Sequence, residues 1–163
     1  MATSAVARSS RSSVALALTA LRVLGLVFFL VALADILTSW LPPLFGRPEW
    51  ELAMSAGFLD RFPLLALGLA ILIADGVGQG KKVRVRTLAV VAVLMAVAVW
   101  LAFTLFATTW PMSFRAVTGN PEMMTTMKKA GAKALAQAAV YPFGLLWMAG
   151  AAWKATMTRR RRG

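Results

Sequence analysis

Four long apolar runs leave this chain very few folds. They cover roughly residues 14–40, 59–77, 87–110 and 134–153. A helix rises 1.5 Å per residue, so about 20 residues cross a hydrocarbon core of about 30 Å. Inside lipid the backbone must satisfy its own hydrogen bonds, which restricts spanning segments to helices and closed barrels. Because the runs lack the alternation of a barrel strand, the sequence predicts an all-α integral membrane bundle of four transmembrane helices.

The outer faces of these runs argue against a water-soluble bundle of the same length. Such a bundle needs polar residues on the face of each helix that points to solvent. The third run is apolar all the way round over 88–103, and 60% of the 163 residues are hydrophobic. A single compact membrane domain therefore accounts for most of the chain.

The basic residues gather on one side of the predicted bundle, although the net charge of +12 alone would also suit a nucleic-acid-binding protein. If the N-terminus is cytoplasmic, twelve of the 18 Lys and Arg residues lie on that side: Arg8, Arg11, Arg22, Lys81, Lys82, Arg84, Arg86, Lys154, Arg159, Arg160, Arg161 and Arg162. This bias predicts that both termini are cytoplasmic. The run Arg159–Arg162 is then expected to bind anionic lipid headgroups. No aromatic residues interleave with these charges, so we expect no nucleic-acid partner.

The absence of Cys and His narrows the chemistry of the chain. Disulfides, thiolate nucleophiles, imidazole ligands and histidine acid–base catalysis are all excluded. No catalytic or metal-binding constellation appears either, so we expect no enzyme and predict no cofactor. A pigment or a lipid could still bind by packing, although a chlorophyll magnesium would find no imidazole ligand.

The predicted organisation has three parts: a mobile basic N-terminus at 1–13, a transmembrane domain at 14–156 and a basic tail at 157–163. The four helices are expected at about 14–40, 59–77, 87–110 and 121–156. An alternative for the first of them is a secretory signal peptide, since Ala32-Leu-Ala34 is a small-x-small cleavage pattern. Cleavage there would leave three helices beginning at Asp35, but the apolar run is longer than a usual signal peptide core.

The ends of the helices carry recognisable signals. Asp60 is a candidate N-cap of the second helix with Pro63 in its first turn, and a short interfacial helix is expected before it, over 49–59. Asn120 and Pro121 are typical of the N-cap and first position of the fourth helix. Since that helix then exceeds the bilayer, we expect it to extend outside the membrane.

Two ion pairs are predicted between the first and second helices. Antiparallel neighbours would bring Asp35 close to Arg61 at one end and Arg22 close to Asp75 at the other. Ala66, Ala70 and Ala74, with Gly68 beside them, suit close packing of helices. The candidate surface for a partner protein consists of Glu49, Trp50, Glu51 and Trp100.

The connection into the second helix resembles a known family. Leu41-Pro-Pro, Pro48-Glu-Trp-Glu-Leu52 and Leu59-Asp-Arg-Phe-Pro63, followed by Leu67-Gly-Leu-Ala70, are similar to the HpsJ-like proteins, which are small multi-pass membrane proteins mainly of cyanobacteria. The resemblance covers about residues 41–70. It implies a bacterial inner membrane, cytoplasmic or photosynthetic, and a role near polysaccharide export or photosynthesis, with no catalytic residues.

These observations predict a non-enzymatic accessory subunit or assembly factor that packs against a larger membrane complex, which could be photosynthetic. The alternative is a small transport or polysaccharide-export component. Transport would need polar groups at mid-depth of the membrane, and the sequence offers mainly Thr104 and Gln137 for this purpose.

Overall fold

Four long helices make up a computed structural model that describes the backbone of residues 2–158 and the side chains of 14–158. The helices are α1 (Ala2–Ser39), α2 (Pro48–Gly78), α3 (Lys82–Ala116) and α4 (Pro121–Thr158). Each is long and apolar enough to cross a membrane. The all-helical class and the four candidate membrane spans predicted from the sequence are therefore confirmed.

The helices alternate in direction and do not pack symmetrically. Helix α2 contacts all three others, α3 and α4 pack along each other, and α1 contacts α2 alone among the described elements. The N-terminal part of α1, the α2–α3 turn and the C-terminal part of α4 lie together, at what we call the terminal end. The connections 40–47 and 117–120 lie at the opposite, loop end. The result is a three-helix bundle with a fourth helix on its side.

The buried positions repeat with coiled-coil spacing. On α3 they fall at 85, 89, 92, 96, 99, 102, 106 and 109. The steps are of three or four residues, as expected for helices that cross at a shallow angle. Four of these eight positions are alanine, which lets α2 and α4 approach closely on either side of α3. The centre of the bundle is filled by Leu59, Phe62, Leu65 and Leu69 of α2, all fully buried.

Helix α1 touches α2 along a narrow seam. Its buried residues are Gly25, Ala32 and Ile36, with Phe29 and Leu33 partly buried beside them, and most of the other apolar side chains of α1 are exposed. The backbones come closest at Gly68, where an added Cβ would lie 2.6 Å from the Phe29 amide nitrogen and 2.7 Å from the Gly25 carbonyl oxygen. Glycine at 68 is therefore required by the crossing, whereas Ala74 of the predicted small-residue stripe is exposed.

The predicted start of α2 is wrong. The helix begins at Pro48 and runs without interruption through Asp60 and Pro63, so no separate interfacial helix precedes it and Asp60 is not an N-cap. Pro48 occupies the first turn, with Glu49 and Glu51 close to the positive end of the helix dipole. Pro63 removes only one backbone hydrogen bond, to the carbonyl of Leu59, and buried packing on both sides keeps the helix intact.

The other helices also extend beyond the apolar runs. Helix α1 begins at Ala2 rather than near 14, since 2–13 contains no Gly or Pro to break it, and α3 continues through Pro111 to Ala116. The start of α4 agrees with the sequence: the Asn120 side-chain oxygen accepts hydrogen bonds from the amides of Glu122 at 3.1 Å and Met123 at 3.2 Å. Arg159–Arg162 lie outside the described residues.

Candidate functional site

The charged residues of the described helices gather at the two ends of the bundle. At the terminal end Arg22 of α1 holds the carboxylate of Asp75 with two hydrogen bonds, Nε to Oδ2 at 2.9 Å and Nη2 to Oδ1 at 3.1 Å. Arg84 of α3 lies 3.2 Å from the same carboxylate, and the Gln79 amide also donates to it. We call Arg22, Asp75, Gln79 and Arg84 the terminal-end cluster. It joins three helices around one carboxylate.

Burial makes Asp75 the central member of this cluster. Only 4% of its side chain is exposed, against 38% for Arg22 and 32% for Arg84. A carboxylate withdrawn from water needs hydrogen bonds to both oxygens, and Asp75 receives them. The two arginine side chains remain partly exposed.

Helix α4 joins this end through a different contact. The Arg86 guanidinium lies over the Trp153 ring, 5.4 Å from its centroid, and its Nε donates to Thr156 Oγ1 at 3.4 Å. Cations are attracted to the negative face of an indole ring. No carboxylate pairs with Arg86 among residues 14–158. Its positive charge is therefore not neutralised by the described part of the chain.

Two ion pairs lie side by side at the loop end. Arg61 pairs with Asp35 of α1, and its neighbour Asp60 pairs with Lys133 of α4, Oδ1 to Nζ at 2.7 Å. We call Asp35, Asp60, Arg61 and Lys133 the loop-end cluster. It links α1, α2 and α4, contains equal numbers of positive and negative groups, and is partly exposed throughout.

Both predicted pairs between α1 and α2 are thus present, and each is part of a larger group. The sequence places Arg84 at the same end as Asp75, but the predictions named only Arg22 as its ion-pair partner, and they did not include the Asp60–Lys133 pair. The register of α3 and α4 against α2 decides both contacts, and that register has no local signal in the sequence. The one sequence signal for the pair with Lys133 was Asp60, an acidic residue at the start of the apolar part of α2 that needs a cationic partner.

Between the two clusters the described spans carry no Asp, Glu, Lys or Arg. Gln137 is buried in the core, while Thr104 is exposed on the outside of α3 and donates to the Leu101 carbonyl. The two polar residues that a transport path would use therefore do not face a common interior. Among the residues that the structure describes, no three His, Cys, Asp or Glu side chains come together to hold a metal ion.

The four residues of the predicted partner surface do not form one surface. Trp50 packs edge-on against Trp40 and Phe45, with centroids 5.9 and 5.2 Å away. Glu51 accepts a hydrogen bond from the Gly46 amide at 2.8 Å. Both therefore stabilise the 40–47 connection. Glu49 is exposed close to them at the loop end.

Trp100 lies apart from these residues, at the middle of α3 and 57% exposed. Its ring packs against Phe103 of the same helix, with centroids 6.3 Å apart. The indole N–H donates to no acceptor within residues 14–158. Tryptophan in membrane proteins concentrates at the interfaces, where this N–H meets water or headgroups, so its position at mid-span is unusual.

Comparison with known proteins identifies no relative of this chain. No protein-family model, no curated protein and no solved structure matches the chain. The resemblance of residues 41–70 to the HpsJ-like family therefore stays a prediction.

Proposed function

We propose that this protein is a non-enzymatic accessory subunit or assembly factor that packs against a larger complex in a bacterial inner membrane. Trp100 is the observation that carries the proposal. A polar N–H at the centre of a hydrocarbon layer is unfavourable without an acceptor. A partner helix with a backbone or side-chain acceptor would satisfy the group and cover the ring.

The outward faces of the helices support an interface of this kind. Among the described helices, α1 contacts only α2, so most of its apolar surface is uncovered. On α3 the apolar surface around Trp100 is extended by the exposed side chains of Leu94, Val97 and Leu101. Aromatic residues at the centre of an interface often contribute a large share of its binding energy. With charged groups confined to the two ends of the described helices, the bundle offers shape and apolar area rather than a reaction centre.

The charge distribution and the resemblance to HpsJ-like proteins support a particular orientation in the membrane and a particular kind of complex. The excess of Lys and Arg near the terminal end favours a cytoplasmic location for both termini. The similarity to HpsJ-like proteins favours a complex of photosynthesis or polysaccharide export. The part of α4 before Lys133 would then project from the opposite side of the membrane.

Native co-purification tests this function. The tagged protein is extracted in a mild detergent, and its partners are identified by mass spectrometry. The expected result is a larger complex that contains the protein in stoichiometric amount. Trp100→Leu should lower the amount of protein recovered in this complex by at least about tenfold, because a tryptophan at the centre of an interface often contributes a large share of the binding energy. Trp100→Phe keeps an aromatic ring but loses the N–H, so the amount recovered in the complex should lie between that of the wild type and that of Trp100→Leu.

Trp147→Leu is the matched control, because Trp147 is 80% exposed on α4. It removes an exposed indole that lies only seven residues from Lys154, near the charged end of α4 rather than at mid-span, and should leave the complex intact. A monodisperse monomer under gentle extraction would overturn the proposal, as would equal losses with Trp100→Leu and Trp147→Leu. Circular dichroism establishes that each variant keeps its helix content.

A further inference from the structure

A groove between α3 and α4 opens beside Arg86. It has a volume of about 320 Å³, and its walls are apolar. Val90 and Val93 line it on α3, and Leu146, Gly150 and Trp153 line it on α4. It faces the bilayer in the half nearer the terminal end. Such a groove can hold an acyl chain, but much of the surface of a membrane protein can do the same. Specificity for one kind of lipid therefore depends on the groups at the mouth of the groove.

The mouth of the groove is positively charged. Arg86 precedes Val90 by one helical turn, and Lys154 follows Gly150 by one turn, so each lies on the groove side of its helix. The contact of Arg86 with Trp153 keeps the guanidinium at this position. Four of its five N–H groups find no acceptor in the described residues, since only Nε donates, to Thr156.

A second groove shows why charge matters here. It runs between α1 and α2 along Ala32, Leu64 and Leu67, and the loop-end cluster lies at its mouth. The two carboxylates there are each paired with a cation. Its charge is balanced, so this groove does not select an anion. The Arg86 groove has the apolar wall together with an uncompensated cation.

We propose that the Arg86 groove binds one anionic phospholipid. Its phosphate would lie against Arg86 and Lys154, and the upper part of one acyl chain would lie in the groove against Trp153. A guanidinium forms paired hydrogen bonds with phosphate oxygens, which makes arginine suited to this contact. The proposal uses none of the residues Arg159–Arg162 and does not depend on the proposed role as an accessory subunit.

Native mass spectrometry of the purified full chain tests the site. Phosphatidylglycerol is titrated into the detergent-solubilised protein, with phosphatidylcholine as the zwitterionic comparison. The expected result is one phosphatidylglycerol retained most tightly. Arg86→Gln should weaken its binding about tenfold, as expected for losing charged hydrogen bonds. Arg115→Gln, the same change at the opposite end of α3, should leave the binding unchanged.

A second pair of variants tests the groove without touching a charge. A Cβ at Gly150 or at Gly144 would meet no atom within 4 Å, so either position accepts a larger residue. Gly150→Leu should fill the groove and weaken retention of phosphatidylglycerol, whereas Gly144→Leu, outside the groove on the same helix, should not. Equal retention in all four variants, or equal retention of the two lipids, would overturn the proposal. Displacement of the lipid by millimolar inorganic phosphate would also overturn it, in favour of a site for the free anion.

Discussion

Asp75 is the one charged residue that is buried among residues 14–158. Its carboxylate is almost fully covered, and three side chains donate to it or pair with it: Arg22 of α1, Gln79 just after α2 and Arg84 of α3. A buried charge is tolerated when it is paired and hydrogen-bonded, and removing its partners is costly. The contact therefore acts as a fixed point for the register of α1 and α3 on α2. Arg61 and Asp35, both more exposed, contribute less to this register.

We expect Asp75→Asn to lower the free energy of unfolding by about 1.5–3 kcal/mol, because the substitution removes the negative charge that Arg22 and Arg84 share. The measurement is an unfolding titration with a denaturing detergent. Adding Arg22→Gln to Asp75→Asn should cost much less than Arg22→Gln alone in the wild-type background. Strictly additive losses would show that the pair is not coupled in the folded protein.

At the scale of single elements, the α1–α2 crossing depends on backbone contact rather than on side-chain interlocking. Gly68 leaves room for the Gly25 carbonyl and the Phe29 amide. No rotamer change can relieve a clash with backbone atoms. Helix α1 has no second neighbour among the described helices that would hold it in place.

Gly68→Ala should destabilise the protein by about 1–3 kcal/mol, since the added methyl group forces α1 away from α2. The same detergent titration measures the loss. Gly78→Ala is the control on the same helix, because its Cβ would meet nothing within 4 Å. This control should be neutral or slightly stabilising, as alanine favours a helix more than glycine does. A Gly68→Ala protein as stable as the control would contradict the close crossing.

The N-cap of α4 can be tested independently of the membrane part. Asn120→Ala removes the acceptor for the amides of Glu122 and Met123. Losing a cap costs about 1 kcal/mol. Hydrogen exchange at these two amides should therefore become roughly fivefold faster, while amides beyond Lys133 keep their rates. Thr118→Ala, in the same connection but outside the cap, should change neither amide.

At the scale of the whole molecule, the two clusters mark two levels of the bundle. Lys133 belongs to the loop-end cluster and Lys154 lies near the terminal end, and no charged residue separates them on α4. The interval spans about 31 Å at 1.5 Å per residue, close to the thickness of a hydrocarbon core. Between these two levels the described helices carry no charged residue on the surface that would meet the lipid tails.

The proposed orientation can be tested with single thiols, because the chain has no cysteine of its own. Lys81→Cys places a thiol in the α2–α3 turn and Thr118→Cys places one in the α3–α4 connection, and both positions are exposed. In intact cells a membrane-impermeant maleimide should label Thr118→Cys alone, because the proposed orientation, which is based on the excess of basic residues, places the terminal end in the cytoplasm. Lys81→Cys should react after permeabilisation. The reverse order of labelling would overturn the orientation.

Local sequence patterns were sufficient to predict features that depend on neighbouring residues alone. The four apolar runs predicted four helices, and Asn120 followed by Pro121 predicted where α4 begins. The same reasoning failed at Asp60 and Pro63, which resemble a helix start but lie inside α2. Packing of Leu59 and Phe62 against the rest of the bundle overrode the local preference of these residues, because most helical stability in a protein comes from tertiary contacts.

The four apolar runs determine the all-helical class and the four candidate spans, since hydrocarbon admits only helices and closed barrels and the runs lack the alternation of barrel strands. The pairing of Asp35 with Arg61 and of Arg22 with Asp75 follows from the antiparallel order alone. Only the tertiary structure decided that α1 stands outside a three-helix core. It also decided which cations find a carboxylate and which, like Arg86, do not. The physical reason is that apolar periodicity selects a buried face but carries no information on which helix will cover it.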